Sequence, residues 1–162
     1  MMTMDAAHPR VLGSLGRALS LELTAVQQYM SQASLLELWG DLEAAERFRR
    51  DTVEEMQHAE SLIKRMLALG VAPAASQLRP VTHAPDLAGL LQQNLKLEQD
   101  LIHLYTDAVR FCLLIGDQRS HELFASLLDD EGHHAEALEA WRRELITDRG
   151  GYGAWADARA TF

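Results

Sequence analysis

The sequence contains very few residues of three kinds: one cysteine, four prolines and ten glycines among 162 residues. The single cysteine, Cys112, excludes a disulfide within the chain and a four-cysteine zinc or rubredoxin-type iron site. Because Cys112 lies in an apolar helical stretch, we expect a buried, unreactive thiol. The scarcity of Pro and Gly leaves few residues that interrupt helices.

Basic residues and long apolar runs are also scarce. The 15 Lys and Arg residues are outnumbered by 24 Asp and Glu residues, and the net charge of −9 makes nucleic acid and anionic membranes poor partners. No apolar run reaches the length of about 18 residues that a membrane-spanning helix needs. Residues 1–5 lack a basic segment followed by an apolar one, so no secretory signal is predicted. We therefore predict a cytoplasmic protein with no nucleic-acid or membrane partner.

Ala, Leu, Glu and Gln are plentiful, and no long β-branched run competes with the helices that these residues favour. Apolar residues recur at alternating steps of three and four, which is the period of an amphipathic helix. This pattern predicts four long helices, at roughly 9–39, 41–70, 86–115 and 118–146.

The connections between these helices are short, long and short. Gly40-Asp41 and Gly116-Asp117 form tight breaks, whereas segment 71–84, with Pro73 and Pro80, is long enough to run the length of the helices. That order predicts an all-α four-helix bundle with one long crossover connection. A three-helix or open helical array is the alternative.

A chain of this length builds one hydrophobic core rather than two. We therefore expect a single domain over residues 1–162, with the bundle at about 9–146. Three glycines between residues 150 and 153 separate a short tail, for which we predict a short C-terminal helix at about 152–160.

One position in the apolar stripe of each predicted helix carries a glutamate where leucine is usual. A buried carboxylate without a partner is costly, and four that converge repel one another. Protonation, basic partners or a bound cation relieves that cost, and the alternative to a metal site is four core glutamates satisfied by Arg, Lys or water. The four residues are Glu22, Glu55, Glu98 and Glu131.

Two of these glutamates begin the same local pattern, in which a histidine follows three residues later and is itself followed by Ala-Glu. The pairs are Glu55 with His58 and Glu131 with His134. A spacing of three places carboxylate and imidazole on one helix face, close enough to bind one metal. The other two glutamates have no such histidine and offer a carboxylate alone.

The spacing between helices repeats as well, because 33 residues separate 22 from 55 and 98 from 131. Equal separations place the two pairs at matching depths of two similar hairpins, an approximate twofold repeat. One Glu from each of two helices and Glu-x-x-His from each of the other two is the ligand set of a di-iron carboxylate centre. Carboxylate oxygens with one imidazole per metal suit Fe or Mn better than Zn or Cu.

A second register is open in the fourth helix, because Asp130 and His133 also stand three residues apart. The repeated separation and the repeated His-Ala-Glu favour Glu131 and His134 over this shorter Asp ligand.

These residues make the chain similar to the bacterioferritins over nearly all of its length. The segment LELTAVQQY at 21–29 resembles that family's first-ligand region, and EEMQHAE at 54–60 resembles its second. Leu97-Glu98 occupies the third-ligand position, and DEGHH at 130–134 resembles the last. The resemblance implies that the predicted all-α bundle is a ferritin-like four-helix bundle.

The resemblance also implies a function. It implies a ferroxidase that oxidises Fe(II) with dioxygen or peroxide at a centre of two iron ions per subunit, and a homo-oligomeric, 24-subunit shell that stores ferric mineral. Tyr29 matches a family tyrosine near the centre that donates a hydrogen bond or an electron; a seam aromatic with a satisfied hydroxyl is the alternative. In the family pattern Glu55 and Glu131 bridge the irons, Glu22 and Glu98 are terminal ligands, and His58 and His134 each bind one iron.

Met56 matches a second family feature, the methionine after the second-helix glutamate that ligates haem b between two subunits. One residue past Glu55, its side chain points about 100° away from the metal seam, toward a neighbouring subunit. A thioether is an established axial ligand of haem iron. An interface or partly exposed methionine without haem is the alternative.

Other di-iron functions compete with iron storage. A rubrerythrin-like peroxidase or a small substrate oxidase uses a similar ligand set, although the missing Cys-x-x-Cys pair argues against a self-contained rubrerythrin. A third hypothesis is a haem-linked or purely structural bundle with a degenerate metal site. A miniferritin fits less well, since its iron ligands lie between subunits.

Overall fold

The computed structural model describes residues 7–74 and 76–157, and this part of the chain forms an all-helical bundle without strands. The predicted four-helix architecture with one long crossover is confirmed. The helices are α1 (Pro9–Leu38), α2 (Leu42–Ala68), α3 (Leu87–Ile115) and α4 (Gln118–Asp157).

Local sequence sets where the helices begin and end. The Asp41 side chain accepts a hydrogen bond from the backbone N–H of Ala44 at the start of α2, and Asp86 caps α3 in the same way. The turns between helices use glycine in the left-handed region, with φ of 83° at Gly40 and 75° at Gly116. These caps and turns make the two hairpins tight.

The crossover runs beside α1 and in the same direction. The backbone N–H of Gln77 donates to Ser20 Oγ, and further along the Thr82 hydroxyl donates to Gln28 Oε1. Because the crossover returns the chain to the end of the bundle where α1 finishes, α3 runs antiparallel to α1. This topology makes α1 face α3, and α2 face α4.

The core lies along the bundle axis, where the apolar stripes of the four helices meet. Phe48 and Phe124 are fully buried, and so are Tyr29 and Tyr105. Cys112 is buried as expected, and burial is the main cause that raises its pKa to about 11. None of the helices in the described part of the chain has the length and apolar character of a membrane-spanning segment.

The end of α4 differs from the prediction. The helix continues to Asp157 through the glycines at 150–153, where the sequence predicted a break before a separate helix at 152–160. A glycine inside a helix costs only about 1 kcal/mol relative to alanine, so glycines weaken a helix without ending it. The last residues of the predicted tail helix lie outside the described part of the chain.

Candidate metal centre

The four predicted glutamates meet at one level of the bundle, and each helix supplies one. All four are fully buried, with an exposed fraction of 0%. The antiparallel register accounts for this convergence, because residues 33 apart on each hairpin come opposite each other across the axis. The residues are Glu22 on α1, Glu55 on α2, Glu98 on α3 and Glu131 on α4.

The two predicted histidines join these carboxylates to form two overlapping groups. Within each group, one ligand atom per residue lies within 4.8 Å of all the others. Two carboxylates belong to both groups. The first group is Glu22, Glu55, His58 and Glu131, and the second is Glu55, Glu98, Glu131 and His134.

The two shared carboxylates reach both histidines, each with a different oxygen. Glu55 places Oε1 3.0 Å from His134 Nδ1 and Oε2 3.3 Å from His58 Nδ1. Glu131 places Oε1 2.8 Å from His58 Nδ1 and Oε2 4.0 Å from His134 Nδ1. Both carboxylates therefore span the gap between the imidazoles, as a pair that bridges two cations would.

The remaining two carboxylates each belong to one side. The Oε2 atom of Glu22 lies 3.7 Å from His58 Nδ1, and the Oε1 atom of Glu98 lies 3.6 Å from His134 Nδ1. Each half of the centre thus has one histidine, one carboxylate of its own and a share in two others.

An aspartate lies beside the outer nitrogen of each histidine. Asp130 Oδ2 is 3.6 Å from His58 Nε2, and Asp51 Oδ2 is 3.6 Å from His134 Nε2. A carboxylate in this position orients a metal-binding imidazole and increases its basicity. Sequence reasoning missed Asp51, although its place one helical turn before Glu55 was the available signal.

Two tyrosine hydroxyls complete the inner surroundings. Tyr29 donates a hydrogen bond of 2.7 Å to Glu98 Oε1, and its ring stacks on the His134 ring with centroids 5.4 Å apart. Tyr105 donates a hydrogen bond to Glu22 Oε1. The sequence predicted Tyr29 as a neighbour of the centre, and it predicted Tyr105 in the core or just outside the ligand set.

Several buried polar atoms that face the middle of this cluster make no well-directed hydrogen bond, although the two histidines lie within ion-pair distance of the glutamates. Such unsatisfied groups are rare in proteins and call for a cause. No Arg or Lys within the described residues pairs with any of the four glutamates, and the basic groups beside them are the two histidines. Their arrangement fits divalent cations that prefer oxygen and imidazole donors. The atoms are Oε2 of Glu22 and Glu98, both carboxylate oxygens of Glu55 and Glu131, and Nδ1 of His58 and His134.

Protons compete for the same atoms. Burial is the largest cause that raises the pKa of Glu22 and of Glu131 to about 7, and burial also raises the pKa of Glu98 well above its usual value. Burial acts the other way on the histidines, but the carboxylates around them outweigh it. The pKa of His58 is raised, chiefly by Glu131, and that of His134 is raised to about 11 by Asp51 and Glu55.

The alternative ligand pair on α4, Asp130 and His133, has exposed side chains. Glu131 is fully buried and the His134 side chain is 8% exposed, whereas the Asp130 side chain is 55% exposed and His133 is exposed. The structure therefore brings Glu131 and His134 into the cluster and leaves His133 on the surface.

Met56 lies on the outer surface of α2, next to the cluster in sequence but turned away from it. Its exposed fraction is 55%, and Val53, one turn earlier on the same face, is 53% exposed. An exposed thioether beside an exposed apolar side chain is compatible with an apolar ligand held between this surface and another.

Comparisons with known proteins show which family the chain is similar to. The ferritin-like domain family matches residues 13–147. The chain is 36% identical over 130 residues to the bacterioferritin of Rhodobacter capsulatus, covering 80% of this chain and 81% of that protein. It is 36% identical over 132 residues to the bacterioferritin of Brucella melitensis biotype 1, covering 82% of each. A solved structure of the R. capsulatus bacterioferritin, with a metal-free dinuclear site and a haem iron on a crystallographic special position, matches with a TM-score of 0.83 and 34% identity over 88% of each chain.

Proposed function

The chain belongs to the bacterioferritin family of ferritin-like proteins, and we propose that it oxidises Fe(II) between its helices and stores the ferric product. Its function is that of an iron-storage ferroxidase. One observation supports the site above all: Glu55 and Glu131 each direct one oxygen toward His58 and the other toward His134.

The two halves of the cluster suggest a role for each ligand. Glu22 and His58 would hold one iron, and Glu98 and His134 would hold the other. Glu55 and Glu131 would bridge the two, because both belong to both groups. The unpaired buried oxygens of these residues support this arrangement, since bound cations would satisfy them.

The reaction moves electrons from two substrate ions to one oxidant. Each Fe(II) gives one electron, and dioxygen with two protons accepts two electrons to form hydrogen peroxide. Hydrogen peroxide with two protons accepts two more electrons to form two waters, so either species serves as the oxidant. The carboxylates and histidines would hold the two ions close together, and the Tyr29 hydroxyl would hold Glu98 in place through its hydrogen bond.

Proton competition gives the first test. Below about pH 7 the raised pKa values keep Glu22 and Glu131 protonated, and the histidines remain protonated beyond that pH, so metal binding must displace protons. We expect metal affinity to rise with pH, by on the order of tenfold or more per pH unit between about pH 5 and pH 7. Titration of the metal-free protein with Zn(II) at several pH values, with proton release measured in weak buffer, checks this. An affinity that does not change with pH contradicts the proposed ligand set.

Met56 would bind haem b between two subunits. Its exposed thioether and the neighbouring Val53 support the proposal, and the family relationship supplies the precedent. The Met56→Leu variant keeps the apolar surface but removes the sulfur ligand, so we expect loss of nearly all bound haem with unchanged iron oxidation. The matched control is Met66→Leu on the same helix, where the methionine is buried. Equal haem content in both variants, measured by absorbance per subunit, would rule out Met56.

The proposed assembly is a cytoplasmic shell of 24 identical subunits. Size-exclusion chromatography with light scattering, combined with iron and haem assays on the eluted peak, tests it. Since the chain has a mass of 18.1 kDa, a shell elutes at several hundred kilodaltons and carries iron. A dimer with two metals per chain would retain the di-iron centre but favour a non-storage oxidase or peroxidase of the rubrerythrin-like class.

A further inference from the structure

We propose that Tyr105 is a positioning residue of the metal centre, acting through Glu22 as Tyr29 acts through Glu98. The inference rests on the proposed di-iron function and extends it to a residue outside the ligand set. Each tyrosine holds one oxygen of a terminal carboxylate, and in Glu22 this leaves the other oxygen, which faces His58, for the metal.

The internal repeat of the chain relates the two tyrosines. Each ligand in the first hairpin has a counterpart 76 residues later: Glu22 and Glu98, Glu55 and Glu131, and His58 and His134. Tyr29 and Tyr105 are also 76 residues apart. Tyr105 is therefore the counterpart of the tyrosine already placed beside the centre.

The antiparallel packing of α1 and α3 makes the two contacts reciprocal. On each of these helices the tyrosine lies seven residues after the glutamate, which is two helical turns along the same face. When the helices run in opposite directions, the tyrosine of each comes opposite the glutamate of the other. The structure shows this exchange, with Tyr29 bonded to Glu98 and Tyr105 bonded to Glu22.

The hydrogen bonds distinguish the two oxygens of each terminal carboxylate. Tyr105 bonds to Oε1 of Glu22, and the Oε2 atom of Glu22 is buried without a partner and faces His58. Tyr29 bonds to Oε1 of Glu98, which is also the oxygen 3.6 Å from His134 Nδ1, and the Oε2 atom of Glu98 is buried without a hydrogen-bond partner. A carboxylate with one oxygen held in this way presents one oxygen to a metal and is restrained from rotating to present both.

A substitution of Tyr105 is easier to interpret than a substitution of Tyr29. Tyr29 also lies near a metal ligand directly, since its hydroxyl is 3.5 Å from His134 Nε2. The Tyr105 hydroxyl donates a hydrogen bond to Glu22, and the Tyr105 ring packs against Phe124 with centroids 6.0 Å apart. Tyr105→Phe therefore removes the contact to Glu22 and keeps the packing.

Cobalt(II) titration of the metal-free protein, followed by visible absorption, measures the two sites without any turnover. We expect the wild-type chain to bind two Co(II) ions. Tyr105→Phe should still bind two, but with one site weakened about tenfold, the usual size of an effect from a residue that orients a ligand. Its visible bands should also change, because Glu22 becomes free to present both oxygens. The double variant Tyr29→Phe/Tyr105→Phe should weaken both sites.

A double-mutant cycle with Glu22→Ala separates positioning from general packing. Once Glu22 is absent, the additional Tyr105→Phe change should leave Co(II) affinity unaltered, whereas an effect that persists means that Tyr105 acts through packing and overturns the inference. A Tyr105→Phe protein with wild-type affinity and spectrum also overturns it. If the wild-type chain itself fails to bind a pair of ions, the proposed function fails instead. Circular dichroism of each metal-free variant verifies that it is folded.

Discussion

Replacing Glu55 by glutamine is expected to slow Fe(II) oxidation at least about 100-fold. Loss of a residue that only orients a ligand typically costs 10- to 100-fold, and Glu55 is placed to be a ligand of both ions. Its two oxygens lie 3.0 Å from His134 Nδ1 and 3.3 Å from His58 Nδ1. A neutral amide has only one oxygen and cannot bridge two cations in the same way.

The neighbouring residue supplies a matched control for this experiment. Glu54 precedes Glu55 on the same helix but is exposed to solvent, so Glu54→Gln makes the same chemical change outside the cluster. Stopped-flow measurement of ferric absorbance after mixing Fe(II) with aerobic protein compares the two variants. Glu55→Gln should lack the fast phase and Glu54→Gln should retain it. Fast oxidation in a folded Glu55→Gln protein would show that Glu55 does not act as a bridging ligand.

The same substitution should leave the bundle folded. The charge of Glu55 is one cause of the raised pKa values of Glu22 and Glu131 in the metal-free protein, so removing it relieves part of the repulsion within the cluster. A glutamine of equal size also keeps the packing around position 55. A loss of activity without a loss of helix content would thus separate the chemistry of the site from the stability of the fold.

The period of apolar residues in the sequence predicts both the four helices and the four buried glutamates. A step of three or four residues defines which face of a helix is buried, and a glutamate on that face stands out against its leucine neighbours. Glu22 and Glu98 were therefore found without any motif of their own. Met56 was placed on the outer surface by the same rotation of about 100° per residue.

What the sequence did not reveal depends on contacts between helices. The hydrogen bond from Tyr105 to Glu22 requires the relative register of α1 and α3, which no pattern within one helix contains. The position of Asp51 beside His134 likewise depends on how α2 meets α4. The continuation of α4 to Asp157 has another explanation. Glycine lowers the stability of a helix, but its presence alone does not determine where the helix ends.

Metal binding should raise the melting temperature of the metal-free protein by on the order of 10 °C. Ions that bind only the folded state stabilise it by about 4 kcal/mol when their free concentration is 1,000 times the dissociation constant. For a chain of 150–250 residues, each kcal/mol raises the melting temperature by about 2–4 °C. The buried, unpaired oxygens of Glu55 and Glu131 supply the physical reason, since a cation removes both their repulsion and their lack of partners.

Calorimetry of the metal-free protein with and without Zn(II) or Co(II), under the same buffer and subunit concentration, measures this shift. Glu131→Gln removes one of the two shared carboxylates and should lose most of the metal-dependent increase, whereas the exposed control Glu54→Gln should show the full increase. If the melting temperature of the wild-type protein does not change when metal is added, protonation alone makes the burial of its four glutamates tolerable. The cluster would then be a destabilising part of the core rather than a binding site. Its glutamates would be held in the protonated form that the raised pKa values of Glu22 and Glu131 favour.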